Sequence, residues 1–264
     1  MTAVTVPTVP LATAGGTVPV PLLGLGTWQA RGDEAYRAVR TALDLGYRHL
    51  DTATMYGNEA EIGRALADSG VDRDELFITT KCPPDRLGQE DATLERSLRD
   101  LRLDRVDLWL VHWPPHGEDG SVRMWERFLV ARERGRTTAV GVSNYSPDLI
   151  DELVRATGTG PAIDQVPWSP TDHDPKLVES LRDRGVVLEG YSPFRRTDLD
   201  HPTLARVADA HGATAAQVVL AWHLGHGYVV IPKSVRAERL ASNLASVELD
   251  LSAEEIAAID ALGS

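Results

Sequence analysis

Two hydrophobic periods alternate along this chain. Short runs rich in Val, Ile and Leu, nearly continuous in apolarity, read as parallel strands buried on both faces. They cover residues 22–28 (LLGLGTW), 47–53 (YRHLDTA), 76–81 (LFITTK), 106–112 (VDLWLVH), 137–144 (TTAVGVSN), 162–166 (AIDQV), 186–192 (VVLEGYS) and 228–234 (YVVIPKS). Helical spacing fills the gaps. In residues 33–46, Ala35, Val39, Ala42, Leu43 and Leu45 follow a Gly32-Asp33 start and Gly46 supplies the stop. Residues 91–103 place Leu94, Leu98 and Leu101 on one face. Ser146 before Pro147 reads as an N-cap, and Ser252 with Glu255 as a capping box.

Eight strands alternating with helices predict a single α/β domain over residues 1–264, a (β/α)8 TIM barrel. Its functional groups would lie at the C-terminal ends of the strands. The leader TVPLATAGGTVPVP (residues 8–21) reads as a β-hairpin turning at Gly15-Gly16, a plug under the barrel's N-terminal face.

The polar exceptions within the apolar runs fall at that one rim: Trp28, Asp51 with Tyr56, Lys81, His112, Ser143 with Asn144, Gln165, Tyr191, and Lys233 with Ser234. Of 27 basic residues only Lys81, Lys176 and Lys233 are lysine. A chain so biased to arginine keeps two of three lysines at strand ends, which points to a tunable point charge. A phenol with a pKa near 10 is a poor acid at neutral pH. An ammonium beside it favours phenolate, and a carboxylate beside the ammonium keeps it charged and aimed. Tyr56, Lys81 and Asp51 can fill these parts, with His112 donating to a carbonyl oxygen as charge develops. Ser143, Asn144 and Gln165 suit a carboxamide and Tyr191 a stacked ring, so together they describe a nicotinamide seat. Ser143 and Asn144 alternatively cap the helix at Pro147. Ser234, Val235 and Arg236 before a helix start, with Arg239, form a basic cluster suited to the extra phosphate of NADP(H).

Net charge is −12, which argues against nucleic acid and anionic membranes as partners. Cys82 is the one cysteine and reads as a packed, neutral thiol in a reducing compartment. No basic, apolar leader and no run of 18 apolar residues is present, so a cytoplasmic protein is expected. His49, His116, His173 and His201 lack metal-ligand spacing, and no metal is expected. Arg195 and Arg196 follow Tyr191 closely and read as a surface loop, with an approach to the cofactor pyrophosphate as the alternative.

YRHLDTATMYGNE, DLWLVHWP, AVGVSNY and VIPKSVRAERLASN, in this order and spacing, resemble signatures of the aldo-keto reductase family. The nearest likeness is to its bacterial branch of 2,5-diketo-gluconate reductases. The resemblance implies NADPH as hydride donor, Tyr56 as proton donor, and Asp51, Lys81 and His112 in support. It implies Ser143, Asn144, Gln165, Tyr191 and Ser192 at the nicotinamide end of the cofactor. Lys233, Ser234, Val235, Arg236, Arg239 and Asn243 fall at the adenosine phosphate and adenine end. Trp28, Met55 and Trp113 fall where the family lines its substrate pocket, and Trp168 is a further candidate for that rim. Val166-Pro167-Trp168-Ser169-Pro170 and Ser242 depart from the family pattern. The chain stops at Ser264, without the family's C-terminal loop, from which an open, weakly selective pocket is expected. The expected activity is NADPH-dependent reduction of small aldehydes and ketones by a monomer. A regulatory NADP(H)-binding subunit with little turnover is the alternative.

Overall fold

The computed structural model describes residues 4–117 and 119–263. A hairpin, β1 (Thr8–Thr13) and β2 (Gly16–Pro21), precedes eight parallel strands in sequential order. These are β3 (Leu25–Gly26), β4 (His49–Asp51), β5 (Phe77–Cys82), β6 (Val106–Val111), β7 (Thr137–Ser143), β8 (Ile163–Pro167), β9 (Val187–Tyr191) and β10 (Val229–Val230). Parallel bridges from Leu23 to Val230 and from Gly26 to Lys233 join the first strand to the last. Gly24 N donates to Val230 O at 2.9 Å and Val230 N to Leu22 O at 2.7 Å, so the barrel closes.

β3 and β10 are far shorter than the runs 22–28 and 228–234 suggest. Pro232 has no amide proton to continue a ladder. Gly24 and Gly26 sit where backbones crowd: a Cβ would fall 2.7 Å from His49 Nδ1 and 2.7 Å from Ile231 O, respectively. That crowding explains why small residues hold this junction.

The outer layer holds α1 (Gly32–Leu45), α2 (Glu59–Ser69), α3 (Glu90–Leu101), α4 (Gly120–Glu133) and α5 (Pro147–Thr157). It continues with α6 (Pro175–Asp183), α7 (Pro202–His211), α8 (Ala215–Gly225), α9 (Ala237–Ala245) and α10 (Ala253–Asp260). α1 ends on Gly46 at φ 112°, a left-handed cap that glycine adopts without strain. Ser146 caps α5 by accepting from Leu149 N, and Ser252 with Glu255 forms the expected box on α10. The apolar faces meet the strands in one large core, where Trp109 stacks on Phe128 with ring centroids 3.6 Å apart. Stacked aromatics add about 0.5–1.5 kcal/mol beyond their burial.

The hairpin turns at Ala14-Gly15, one residue before the expected place, because Thr13 pairs with Gly16. Leu11 and Val20 are fully buried against Phe77, Leu108, Ala139 and Ile163. The hairpin therefore plugs the end where the strands begin and leaves the opposite end free for chemistry. No helix among the described residues is long and apolar enough to cross a membrane.

Candidate active site

Parallel register sets the height of each site residue. Gly26 pairs with Asp51, Ser143 with Gln165, and Pro167 with Tyr191, while His112 follows β6 directly. A one-turn 3-10 helix, Thr54–Tyr56, then swings the phenol back over the barrel mouth. Asn58 fixes that turn: its Nδ2 donates to Thr27 O at 2.9 Å and Ala30 O at 3.0 Å, and its Oδ1 accepts from Thr52 Oγ1 at 2.9 Å. Thr54 Oγ1 donates to Lys81 O at 2.9 Å, tying the turn to β5.

Lys81, Asp51, Tyr56 and His112 do come together. Lys81 Nζ, with no exposed side-chain surface, donates to Asp51 Oδ1 at 2.5 Å, Thr52 O at 2.9 Å and Tyr56 Oη at 3.5 Å. Gln165 Nε2 donates to Asp51 Oδ2 at 2.9 Å, so the carboxylate is held from both sides. The His112 ring meets the Tyr56 ring edge-on, centroids 5.7 Å apart. Burial alone would lower the Lys81 pKa, but Asp51 and Tyr56 together raise it, and the amine stays an ammonium. Burial pushes the His112 ring down to about 3, with Lys81 adding to the effect, so the imidazole is neutral. Its Nδ1 is buried without a partner among the described residues.

The Tyr56 pKa moves opposite to the direction inferred from the neighbouring amine. Burial raises it more than the Lys81 ammonium lowers it. The phenol therefore keeps its proton at neutral pH. Cys82, which follows Lys81, is buried and pushed up to about 12, an inert thiol as expected.

The proposed seat is a connected network. Ser143 Oγ donates to Gln165 O at 2.7 Å, and Asn144 Nδ2 donates to Ser143 Oγ at 2.9 Å and His112 O at 3.2 Å. Tyr191 Oη donates to Asn144 Oδ1 at 2.9 Å. Asn144 and Ser192 both take left-handed backbones, φ 63° and 55°, a strained choice for side chains other than glycine that clusters at functional sites. Asn144 is thus committed to the network, and Ser146 alone caps α5. Around these groups lies a cavity of about 340 Å³, its lining completed by Trp28, Met55, Trp113, Ser192 and Lys233.

Toward α9 the basic segment forms a rim. Arg236 N donates to Ser234 Oγ at 3.2 Å, and α9 begins after Arg236 with no side-chain cap. Arg236 Nε pairs with Glu238 Oε1 at 2.9 Å, whereas Lys233 and Arg239 have no ion-pair partner among the described residues. Ser234 and Asn243 are buried beside them, and Val235 is half-buried. A helix start without an N-cap side chain, beside the Lys233 and Arg239 cations, is a donor set that fits a phosphate.

Trp28, Met55 and Trp113 are 55%, 60% and 48% exposed, unusual for large apolar groups, and they line the cavity as expected. Trp168 does not. It is buried against His173 and Tyr228, because the chain beyond β8 turns outward under α8. A larger cavity of about 580 Å³ lies at the hairpin end. Its charged lining is internally paired, Arg73 with Asp107 at 2.8 Å and Arg105 with Asp74 at 3.0 Å, and carries no comparable chemistry.

The model of the aldo/keto reductase family matches residues 22–264. The chain belongs to this family. The methylglyoxal reductase DkgB of Salmonella typhi is 42% identical over 248 residues, 92% of this chain and 93% of that protein. The glycerol 2-dehydrogenase (NADP(+)) of Saccharomyces cerevisiae is 38% identical, over 85% of this chain and 82% of its own. Among solved structures, an aldo/keto reductase from Brucella melitensis superposes with a TM-score of 0.93 at 36% identity, covering 98% of this chain and 100% of that one. An aldo-keto reductase from Bombyx mori in complex with NADP gives 0.89 at 31%, covering 98% and 94%.

In this aldo/keto reductase Glu189 escaped the sequence reading, and Arg195 takes the weaker of its two expected places. Arg195 lines the cavity instead of standing in a surface loop, because Ser192 turns the chain inward and Ser169 Oγ donates to Arg195 O at 2.9 Å. Arg196 faces out and pairs with Asp172 at 3.4 Å. Glu189, inside β9, is fully buried near the Asp51–Lys81 pair. A lone acid in the apolar run VVLEGYS was the available signal.

Proposed function

We propose that this protein reduces small aldehydes and ketones to alcohols with NADPH, Tyr56 being the proton donor. The observation that carries the reading is the buried Lys81 ammonium set between Asp51 and Tyr56 in a cavity walled by exposed indoles. When bound, the reduced nicotinamide supplies the hydride for the carbonyl carbon. Ser143, Asn144, Gln165, Tyr191 and Ser192 would hold its carboxamide and ring. Lys233, Ser234, Val235, Arg236, Arg239 and Asn243 would hold the adenosine phosphate and adenine.

The protonation states support the division of labour. His112 is neutral throughout the working range, so it orients the carbonyl oxygen through an N–H and does not protonate it. Tyr56 keeps its proton until charge develops on that oxygen. It then gives up the proton while the Lys81 ammonium stabilises the phenolate. Trp28, Met55 and Trp113 would receive the substrate's apolar part. The methylglyoxal reductase among the relatives supports α-dicarbonyls as a first class to test. All these groups come from one chain, which supports action as a monomer, and the single buried thiol accords with the cytoplasm.

The test is NADPH consumption with a panel of aldehydes, dicarbonyls and keto acids, wild type beside Tyr56→Phe. The expected result is turnover in wild type that falls by about 10²–10⁴-fold in the variant while NADPH still binds. Tight NADPH binding by wild type without turnover on any carbonyl would sink the enzyme reading.

A further inference from the structure

β4 and β9 are not neighbours in the sheet, so side chains from the two can meet only through the middle of the barrel. His49 and Glu189 do so. Both side chains have no exposed surface, and His49 Nε2 lies 3.8 Å from Glu189 Oε1. Neither Glu189 oxygen has a hydrogen-bond partner among the described residues, an expensive arrangement for a bare carboxylate.

The imidazole decides which proton state is tolerable. His49 Nδ1 faces Pro21 O at 3.3 Å, and a carbonyl only accepts, so Nδ1 carries a hydrogen. The ring is pinned there by the backbone at Gly24. In a neutral ring Nε2 then presents a lone pair toward Glu189 and toward Thr79 Oγ1 at 3.3 Å. A lone pair facing a carboxylate is repulsive; one proton between them removes the conflict, on either partner. The other titratable groups acting on Glu189 are Asp51 from β4 and Lys81 from β5. The Gln165 amide, engaged with Asp51, adjoins without meeting hydrogen-bond geometry to Glu189.

We propose that Glu189 is a positioning residue: protonated opposite the neutral His49 ring, it fills the barrel beneath Asp51 and Lys81 without placing a second negative charge on that pair. Lys81 then answers to one carboxylate and remains aimed at Tyr56. Burial and the Asp51 carboxylate push Glu189 up to about 8, and burial pushes His49 down to about 4, in accord with a neutral acid facing a neutral ring. Loss of that proton at alkaline pH puts a second anion beside Lys81 and raises the Tyr56 pKa further. This role rests on Tyr56 being the proton donor.

The test has two parts. Protein labelled with ¹³C at the glutamate side-chain carboxyl is titrated by NMR from neutral to alkaline pH. One glutamate resonance is expected to titrate near 8 and to be missing in Glu189→Gln. Second, the Tyr56 phenolate is followed by ultraviolet difference absorbance, with Tyr56→Phe as the blank. Glu189→Gln should lower its midpoint by on the order of one pH unit, the size of one unit charge removed at an effective dielectric near about 20. A merely structural Glu189 would lower the melting temperature and leave the midpoint in place. Superimposed midpoints overturn the proposal. So does a wild-type spectrum with no glutamate titrating above neutral pH, a result that needs no variant to fold. Turnover that survives in Tyr56→Phe would instead refute the functional reading, and the NMR titration would still judge Glu189.

Discussion

Lys81→Met tests the centre of the site, since it keeps the length of the side chain and deletes the ammonium. Asp51 would lose its 2.5 Å partner and keep only Gln165 Nε2 at 2.9 Å, with its side chain 2% exposed. Removing one member of a buried ion pair costs about 3–5 kcal/mol. At about 2–4 °C per kcal/mol for a chain of this size, the melting temperature should fall by roughly 6–20 °C. Catalysis suffers separately. Without the ammonium nothing of comparable size opposes burial at Tyr56, its pKa climbs further, and reduction should slow by about 10²–10⁴-fold. Adding Asp51→Asn removes the stranded charge and leaves Gln165 an oxygen to bond. The double variant should therefore regain most of the lost stability and none of the activity. Thermal unfolding by circular dichroism at pH 7, run beside NADPH consumption, reads both effects. A cost below about 1 kcal/mol, the value of an exposed pair, would refute the reasoning, as would a double variant less stable than Lys81→Met.

Three further outcomes are expected. Asp164 is fully buried and pushed up to about 8 by burial, so the native state binds more protons than the unfolded chain between about pH 4 and that value. Its stabilising contribution is complete below that window and is lost as pH rises through it; Asp164→Asn should gain on wild type by about 1.4 kcal/mol per pH unit there, read by urea unfolding. Arg239→Ala should raise the KM for NADPH about 10–100-fold, the size of a lost charge-assisted contact, and leave that for NADH in place; equal effects on both would remove Arg239 from the phosphate. Gly141→Ala would set a Cβ 2.7 Å from the Ile163 carbonyl oxygen, and because backbone cannot step aside the cost should be about 1–3 kcal/mol in chemical unfolding.

Which features were legible follows from what each depends on. Asp51, Lys81, His112, Ser143 and Gln165 stand out because barrel strands are apolar on both faces, so a polar residue near a strand end is conspicuous. Tyr56 was readable from its place just past such an end. The trimming of β3 and β10 was not, since it depends on how closely backbones approach at Gly24, Gly26 and Pro232. The sign of the Tyr56 shift was hidden for a different reason: sequence adjacency reveals the amine, while the depth of burial that outweighs it is a property of the assembled barrel. Arg195 entered the cavity through a left-handed Ser192, a backbone choice with no side-chain signature. Trp168 left the rim because the chain beyond β8 found a better aromatic neighbourhood in His173 and Tyr228.

The bridge between Gly26 and Lys233 ties together the two most distant parts of the barrel. Each other strand meets its neighbour soon after that neighbour is made, whereas this pairing waits until nearly the entire chain has left the ribosome. Lys233 also lines the cavity that holds Tyr56 and His112. A nascent or clipped molecule can therefore carry Tyr56, Lys81 and His112 in a barrel that is still open, with one side of its cavity unbuilt.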